Sequence, residues 1–164
     1  EELFGIHQSL AGAVDSYARA RLAGHPVISL LVGKSMSGAF LAHGYQANRI
    51  IALKDTGVMV HAMGKESAAR VTLRTVDELE KLAASIPPMA YDIESYATLG
   101  LLSDLLTVVN PEQPTTEDIA CVQDAFLHAL NDIQATASTG LEHRLHGENR
   151  QASKKVRELL REQW

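Results

Sequence analysis

Cysteine is nearly absent: Cys121 stands alone in 164 residues. One thiol cannot close an intrachain disulfide, and a zinc site built of cysteines is excluded. This usage fits a reducing, cytoplasmic setting. Aromatic residues make up only 5% of the chain. There is no basic surplus, since 15 Lys and Arg face 20 Asp and Glu for a net charge of −5. Nucleic-acid binders carry the opposite balance, which argues against that class. No apolar run approaches the roughly 20 residues of a membrane helix. The first residues, EELFGIHQSL, lack the basic start and apolar centre of a secretory signal. H-E-x-x-H, G-x-G-x-x-G and the Walker loop are all missing, against zinc-protease, dinucleotide and ATP chemistry.

What is present is apolar residue, 46% of the chain, in a length that fits one domain better than two. A chain of this size buries roughly 70% of its unfolded surface, so it needs no staples. Disorder over most of the chain and collagen-like repeats are excluded on the same grounds.

Residues 3–23 read as an amphipathic helix, with Leu3, Ile6, Leu10, Val14, Tyr17 and Arg21 at helical steps. Arg21 suits the negative pole of that helix, and Gly24-His25-Pro26 ends it. VISLLV, 27–32, is apolar on both faces, as a strand in a covered sheet must be. GKSMSGAF, 33–40, reads as a turn of small residues leading into a helix over 39–47. RIIAL, 49–53, and GVMVHAM, 57–63, read as two further strands, and Gly64 opens the helix KESAARVTL.

Thr75 and Glu78 form a capping box, and Pro87-Pro88 breaks the chain. Residues 93–106 read as helix interrupted near Gly100. Thr115 and Asp118 start another helix, expected to bury Ile119, Val122, Phe126, Leu130 and Ile133. From residue 136 onward lies a polar tail, helical or disordered. Its stretch 140–164 has six Lys and Arg, four Glu and two His, and is expected to be dispensable. Strands alternating with helices give an α/β layer of βαβ type. Three strands make a small sheet, and the chain opens inside a helix without Met. The expectation is therefore that upstream strands are missing.

Two strand-to-helix turns could carry chemistry. After 27–32 the chain reaches Gly38-Ala39 at a helix start, where amides have no intrahelical partner and could hold an oxyanion. A glycine there can equally serve packing. The second turn is Met63-Gly64, preceded by His61, which is either catalytic or a hydrogen-bonded core histidine. Lys34 and Lys65 flank the two turns; each can meet phosphate or simply face solvent. A serine nucleophile is disfavoured, because Ser37 stands where G-x-S-x-G centred on Ser35 needs glycine. No metal is expected, since His143 and His146 sit in the tail without a matching carboxylate pattern.

The run HPVISLLVGKSMSGAFLAHGYQANRIIALKDTGVMVHAMGKESAARV, 25–71, resembles the gamma subunits of biotin-independent malonate decarboxylases. PPMAYDIESYATLGLL is similar to the same family. More distantly the chain looks like the C-terminal half of the acyl-CoA carboxyltransferases. The resemblance implies a crotonase-like (ClpP/crotonase) carboxyltransferase half over 1–135, whose upstream strands lie outside this chain.

It also implies a subunit of a malonyl-thioester decarboxylase that releases CO2 and leaves an acetyl thioester. The partners implied are a beta subunit, an acyl carrier protein and an alpha transferase. No cofactor is expected on this chain itself; the thioester rides on the phosphoribosyl-dephospho-CoA arm of the carrier. Loss of CO2 leaves an enolate whose oxygen wants two amide donors in a dry pocket. Gly38-Ala39 match the Gly-Ala of the carboxyltransferase motif G-G-A-[YF], with Ser37 in place of its first glycine. In those relatives this pair serves the biotin carbonyl and the other half holds the enolate. Two roles therefore stay open: a direct oxyanion pair, or a pocket wall beside a hole on the beta partner. Met63, Gly64, His61 and Lys34 are the substrate-binding candidates.

Three alternatives remain. One is a carboxyltransferase subunit of a biotin-dependent enzyme, and another is a scaffold without catalytic groups. The third, a stand-alone enoyl-CoA hydratase, wants paired carboxylates, and Glu66 is the acid beside a helix start, with Asp55 in a loop.

Overall fold

The computed structural model describes residues 4–136 and 138–164. Leu3 of the first helix stripe lies outside the described residues. Helix α1, Ile6–Leu22, starts after Gly5 in a left-handed conformation (φ 68°) and carries Arg19 and Arg21 in its last turn. It has no fully buried residue. Strand β1, Ile28–Leu31, follows. Strand β2 is Lys34–Met36, and helix α2 is Ser37–Ala42. A 3-10 turn over Gly44–Gln46 leads to β3, Arg49–Leu53. Then come β4, Met59–His61, and α3, Lys65–Val71. Helix α4, Val76–Ala83, carries the expected capping box of Thr75 and Glu78. Helix α5 is Ile93–Ala97 and β5 is Asp104–Leu106. Helix α6, Thr116–Thr136, and helix α7, Gln151–Gln163, complete the order.

The strands form two parallel sheets, one in the order β1-β3-β5 and one pairing β2 with β4. The expected α/β layer is present, but its strands are distributed differently. The third strand of the main sheet is β5, Leu105 pairing with Ala52, and not 57–63. Residues 104–106, expected at the end of a helix from 93, are strand. Gly100, in a left-handed conformation (φ 68°), ends that helical stretch and frees the following residues to extend. Residues 34–36, expected within a turn, are the strand that pairs with 59–61.

Every residue of β3 is buried, because β1 and β5 flank it and helices cover its faces. Ile50 and Ile51 are fully inside, each contributing roughly 1.5–3 kcal/mol of burial. Buried Asn48 accepts the Val27 N–H at 2.9 Å, tying the start of β1 to that of β3. Helix α6 buries Ala125, Ala129 and Ile133, whereas Ile119 is 48% exposed. Ile133 is buried as expected and Val122, Phe126 and Leu130 are half-buried, so the helix turns only slightly toward Ala125 and Ala129, whose small side chains permit close approach to the sheet.

The segment after α6 is fastened to the domain. Arg144 is buried, donating to Tyr45 O at 2.9 Å and to Ala47 O. Arg21 of α1 donates to Thr139 O at 2.5 Å. Helix α7 itself buries no residue. Among the described residues, no helix is long and apolar enough to cross a membrane.

Candidate functional site at paired strand ends

Strands β2 and β4 run parallel in the register Lys34–Met59, Ser35–Val60, Met36–His61. Their carboxyl ends therefore lie at the same edge, the side on which open α/β sheets place ligands. From Met36 the chain turns through Ser37 into α2; from His61 it turns through Met63 and Gly64 into α3. The two small-residue turns thus stand side by side. A Cβ added at Gly64 would lie 4.0 Å from Met36 Cε. Gly38, Ala39, His61, Met63 and Gly64 are brought to this edge. Lys34 stands at the opposite, starting end of β2, exposed and across from Met59.

The first turn is sharp. Met36 is extended, and Ser37 follows in the left-handed region at φ 64°. That conformation costs a residue with a side chain roughly 1–2 kcal/mol. It is the position where the carboxyltransferase motif has glycine, and Ser37 adopts the glycine-like angle. The reversal leaves the first amides of α2, those of Gly38 and Ala39 among them, without intrahelical acceptors. The side chain of Leu10 backs the turn, 3.7 Å from where a Gly38 Cβ would sit.

The second turn is built around His61. Its ring stacks on Tyr91 with centroids 3.4 Å apart and planes 12° apart. Its Nε2 lies 2.5 Å from Ala90 O, so Nε2 carries the proton and donates. Burial pushes the His61 pKa below its ordinary value and Lys65 adds to this, against the Ala90 carbonyl and Asp92. The imidazole is therefore neutral at pH 7. The Tyr91 hydroxyl donates to Met63 O at 3.2 Å, and burial pushes the Tyr91 pKa up, so the phenol keeps its proton. Lys65 Nζ pairs with Glu80 at 2.7 Å and lies 5.4 Å from the Tyr91 ring centre. Beside the stack a cleft of about 300 Å³ is walled by Lys65, Glu80, Tyr91, Asp92 and Ser95.

Tyr91 was not among the expected site residues. Its signal lay in the motif PPMAYDIESYATLGLL, with nothing in the spacing to tie it to Met63. Among the described residues, no group of three or more His, Cys, Asp and Glu gathers in a metal-binding arrangement. What the edge offers is neutral donors and small residues. Such a surface can stabilise negative charge developing on a carbonyl oxygen in a dry pocket. One carboxylate approaches, that of Glu66, 3.6 Å from the Gly64 Cβ position.

A solved Pseudomonas malonate decarboxylase hetero-tetramer in complex with coenzyme A contains a chain 66% identical, with a TM-score of 0.92. The match covers 100% of this chain and 62% of that one. The Pseudomonas malonate decarboxylase MdcD-MdcE hetero-dimer contains one 64% identical, TM-score 0.85, over 100% of this chain and 61% of that one. A malonyl-S-ACP:biotin-protein carboxyltransferase of Malonomonas rubra is 31% identical over 146 residues, 88% of this chain and 47% of the relative. The chain thus spans about half the length of that curated relative. The family model for malonate decarboxylase gamma subunits (MdcE) matches all of residues 1–164, and the chain belongs to that family.

Proposed function

We propose that this chain is part of a malonyl-thioester decarboxylase and works in a hetero-oligomer with a beta-like partner. The reaction releases CO2 from a malonyl group and leaves an acetyl thioester. The observation that carries this reading is the Met36–His61 register, which sets two small-residue turns side by side at one strand edge. Gly38 and Ala39 supply backbone amides to the enolate oxygen or to the departing carboxylate. Met63, Gly64 and His61 form the facing wall. His61, neutral and hydrogen-bonded, adds no charge to that wall. Lys34, at the far end of β2, is suited to the phosphates of the carrier arm and not to the reacting atoms.

The fold we assign is the crotonase-like carboxyltransferase half. The substrate is a thioester on the phosphoribosyl-dephospho-CoA arm of an acyl carrier protein, and this chain holds no cofactor of its own. An alpha transferase completes the assembly, which works in the cytoplasm. The relatives found as a hetero-dimer and as a hetero-tetramer with coenzyme A support this reading.

A second reading is favoured by the Malonomonas relative, whose name makes a biotin protein the acceptor. In that reading the Gly38-Ala39 turn serves a biotin carbonyl. One experiment separates the two: the full-length chain is co-expressed with its beta-like neighbour and assayed for CO2 release from malonyl carrier, with and without avidin. Release that avidin leaves unchanged supports the decarboxylase. Release that avidin abolishes moves the chain to the biotin-dependent enzymes. A stable complex with competent carrier and no release refutes the malonyl assignment.

A further inference from the structure

We propose that Tyr91 is the positioning residue of this edge, fixing the wall from His61 to Gly64 through its hydroxyl and its ring together. The inference rests on the reading that the wall lines the reaction pocket.

Strands β2 and β4 form a sheet of two strands. Among the described residues β4 pairs with β2 alone, and the turn that follows β4 lies beyond the last pair of that ladder, Met36–His61. Residues 90 and 91 supply the missing restraint. Ala90 O accepts the His61 Nε2 proton at 2.5 Å, and the Tyr91 ring covers the imidazole face at 3.4 Å. The same side chain then reaches Met63 O with its hydroxyl, at 3.2 Å. The grip is itself anchored on both sides. A 3-10 turn over Pro87–Met89 precedes it, and Asp92 caps α5 by accepting the Ser95 N–H at 2.7 Å.

The contact with Met63 O reaches further than that atom. In a trans peptide the C=O and the next N–H point in opposite directions within one plane. A hydroxyl that pins Met63 O therefore also sets the direction of the Gly64 N–H, away from Tyr91. Among the described residues that N–H meets no protein acceptor. Without the phenol, the peptide between Met63 and Gly64 is free to rotate and its donor loses a fixed aim. Tyr91 is thus a residue that acts through the turn and does not itself touch the reacting atoms.

The test uses the full-length chain assembled with its partner and malonyl carrier as substrate, with rates taken per mole of assembled complex. Tyr91→Phe keeps the ring on His61 and removes the hydroxyl. The expected result is a kcat lowered roughly tenfold or more, with KM within about twofold of the parent, as misplacement at a pocket predicts. A tyrosine analogue bearing an amine in place of the hydroxyl keeps a donor at that position and should restore the rate. Gly64→Ala is run alongside, since its methyl meets Glu66 and Met36 only at ordinary contact distance. Loss of kcat in both variants, with recovery by the analogue, supports the proposal. Normal turnover in Tyr91→Phe beside an impaired Gly64→Ala overturns it and leaves the pocket reading standing. Normal turnover in both overturns the pocket reading as well. A slow Tyr91→Phe that the analogue does not rescue also overturns the proposal, because the hydroxyl is then not what acts.

Discussion

Met36 and His61 are the last paired residues of β2 and β4, and each is followed by the turn that leads into a helix. Through this one pairing, two stretches separated by more than twenty residues of sequence present their amides and small side chains at the same edge. The arrangement suits a reaction that needs backbone hydrogen-bond donors more than it needs an acid-base pair.

Gly38→Val should lower turnover of the assembled complex roughly tenfold or more, by analogy with the loss of an oxyanion donor. The first carbon of the new side chain fits, since it would meet Leu10 Cδ2 at 3.7 Å. The two added methyls extend from there and crowd the turn. Assembly should persist, as read by size-exclusion chromatography. A rate per mole of complex equal to that of the parent would assign Gly38 to packing alone.

Ser37 should behave as a residue under strain. Its φ of 64° is one that glycine adopts freely. Ser37→Gly should therefore hold or raise stability by up to about 1 kcal/mol, the relief of strain set against the greater freedom of an unfolded glycine. Ser37→Val should cost about 2 kcal/mol or more, because a β-branched side chain tolerates this angle worst. Urea unfolding of the chain measures both. Equal midpoints for the two variants would show that the angle relaxes.

Much of this architecture is legible in the residues. The stripe of α1, the apolar runs of β1 and β3, and the Thr75–Glu78 box each state their element locally. What escapes is what depends on partners far along the chain. Strands β2 and β5 are three residues each, too short for any period to show, and exist because β4 and β3 offer them ladders. Helix α6 shows a stripe through Ile119, yet it is turned slightly toward Ala125 and Ala129, which leaves Ile119 exposed. At the site, Gly38-Ala39 and Met63-Gly64 are visible as turns at helix starts. Their adjacency follows from pairing register, which no single stretch encodes. Tyr91 is 28 positions from the carbonyl it holds, and nothing in a helical or strand period points across that distance.

His61 should make the fold lose stability on mild acidification. Its native pKa is depressed chiefly by burial, with Lys65 acting the same way and Ala90 O and Asp92 opposing. The unfolded chain then binds the proton first, below about pH 6.5, while the native imidazole stays neutral. Stability falls as pH drops through that value, and levels off only below the native pKa. His143 is depressed likewise, by burial and by Arg49 and Arg144, so it adds to the same slope. Urea midpoints between pH 7.5 and 5.5 should fall less steeply in His61→Gln than in the parent. Identical slopes would show that His61 binds its proton equally well in the native and unfolded chains, so that burial does not depress it.

Residues 140–150 should prove structural, against the expectation that everything from 140 onward is dispensable. Arg144 is buried with its guanidinium on the carbonyls of Tyr45 and Ala47, and burial lowers its pKa to about 10, so it remains charged. Among the described residues no carboxylate pairs with it, so part of its bonding energy only offsets desolvation. The net cost of Arg144→Ala should be about 2–3 kcal/mol, and that of Arg144→Met smaller, because methionine keeps the aliphatic volume. Close by, the backbone at Gly147 crosses that at Gly100, and a Cβ on Gly100 would lie 2.8 Å from Gly147 Cα. A Cβ on Gly147 would run into the Leu99 carbonyl. Gly147→Ala must therefore push two backbones apart, at a cost of about 2–4 kcal/mol. Helix α7, by contrast, buries nothing and is tied back chiefly by Arg157 on Leu145 O at 3.3 Å. Ending the chain after Arg150 should shift the urea midpoint little, while ending it after Thr139 should shift it at least as far as Arg144→Ala. If the two truncations unfold at the same urea concentration, the Arg144 anchor and the glycine crossing contribute nothing, and the polar tail begins where the sequence alone would place it.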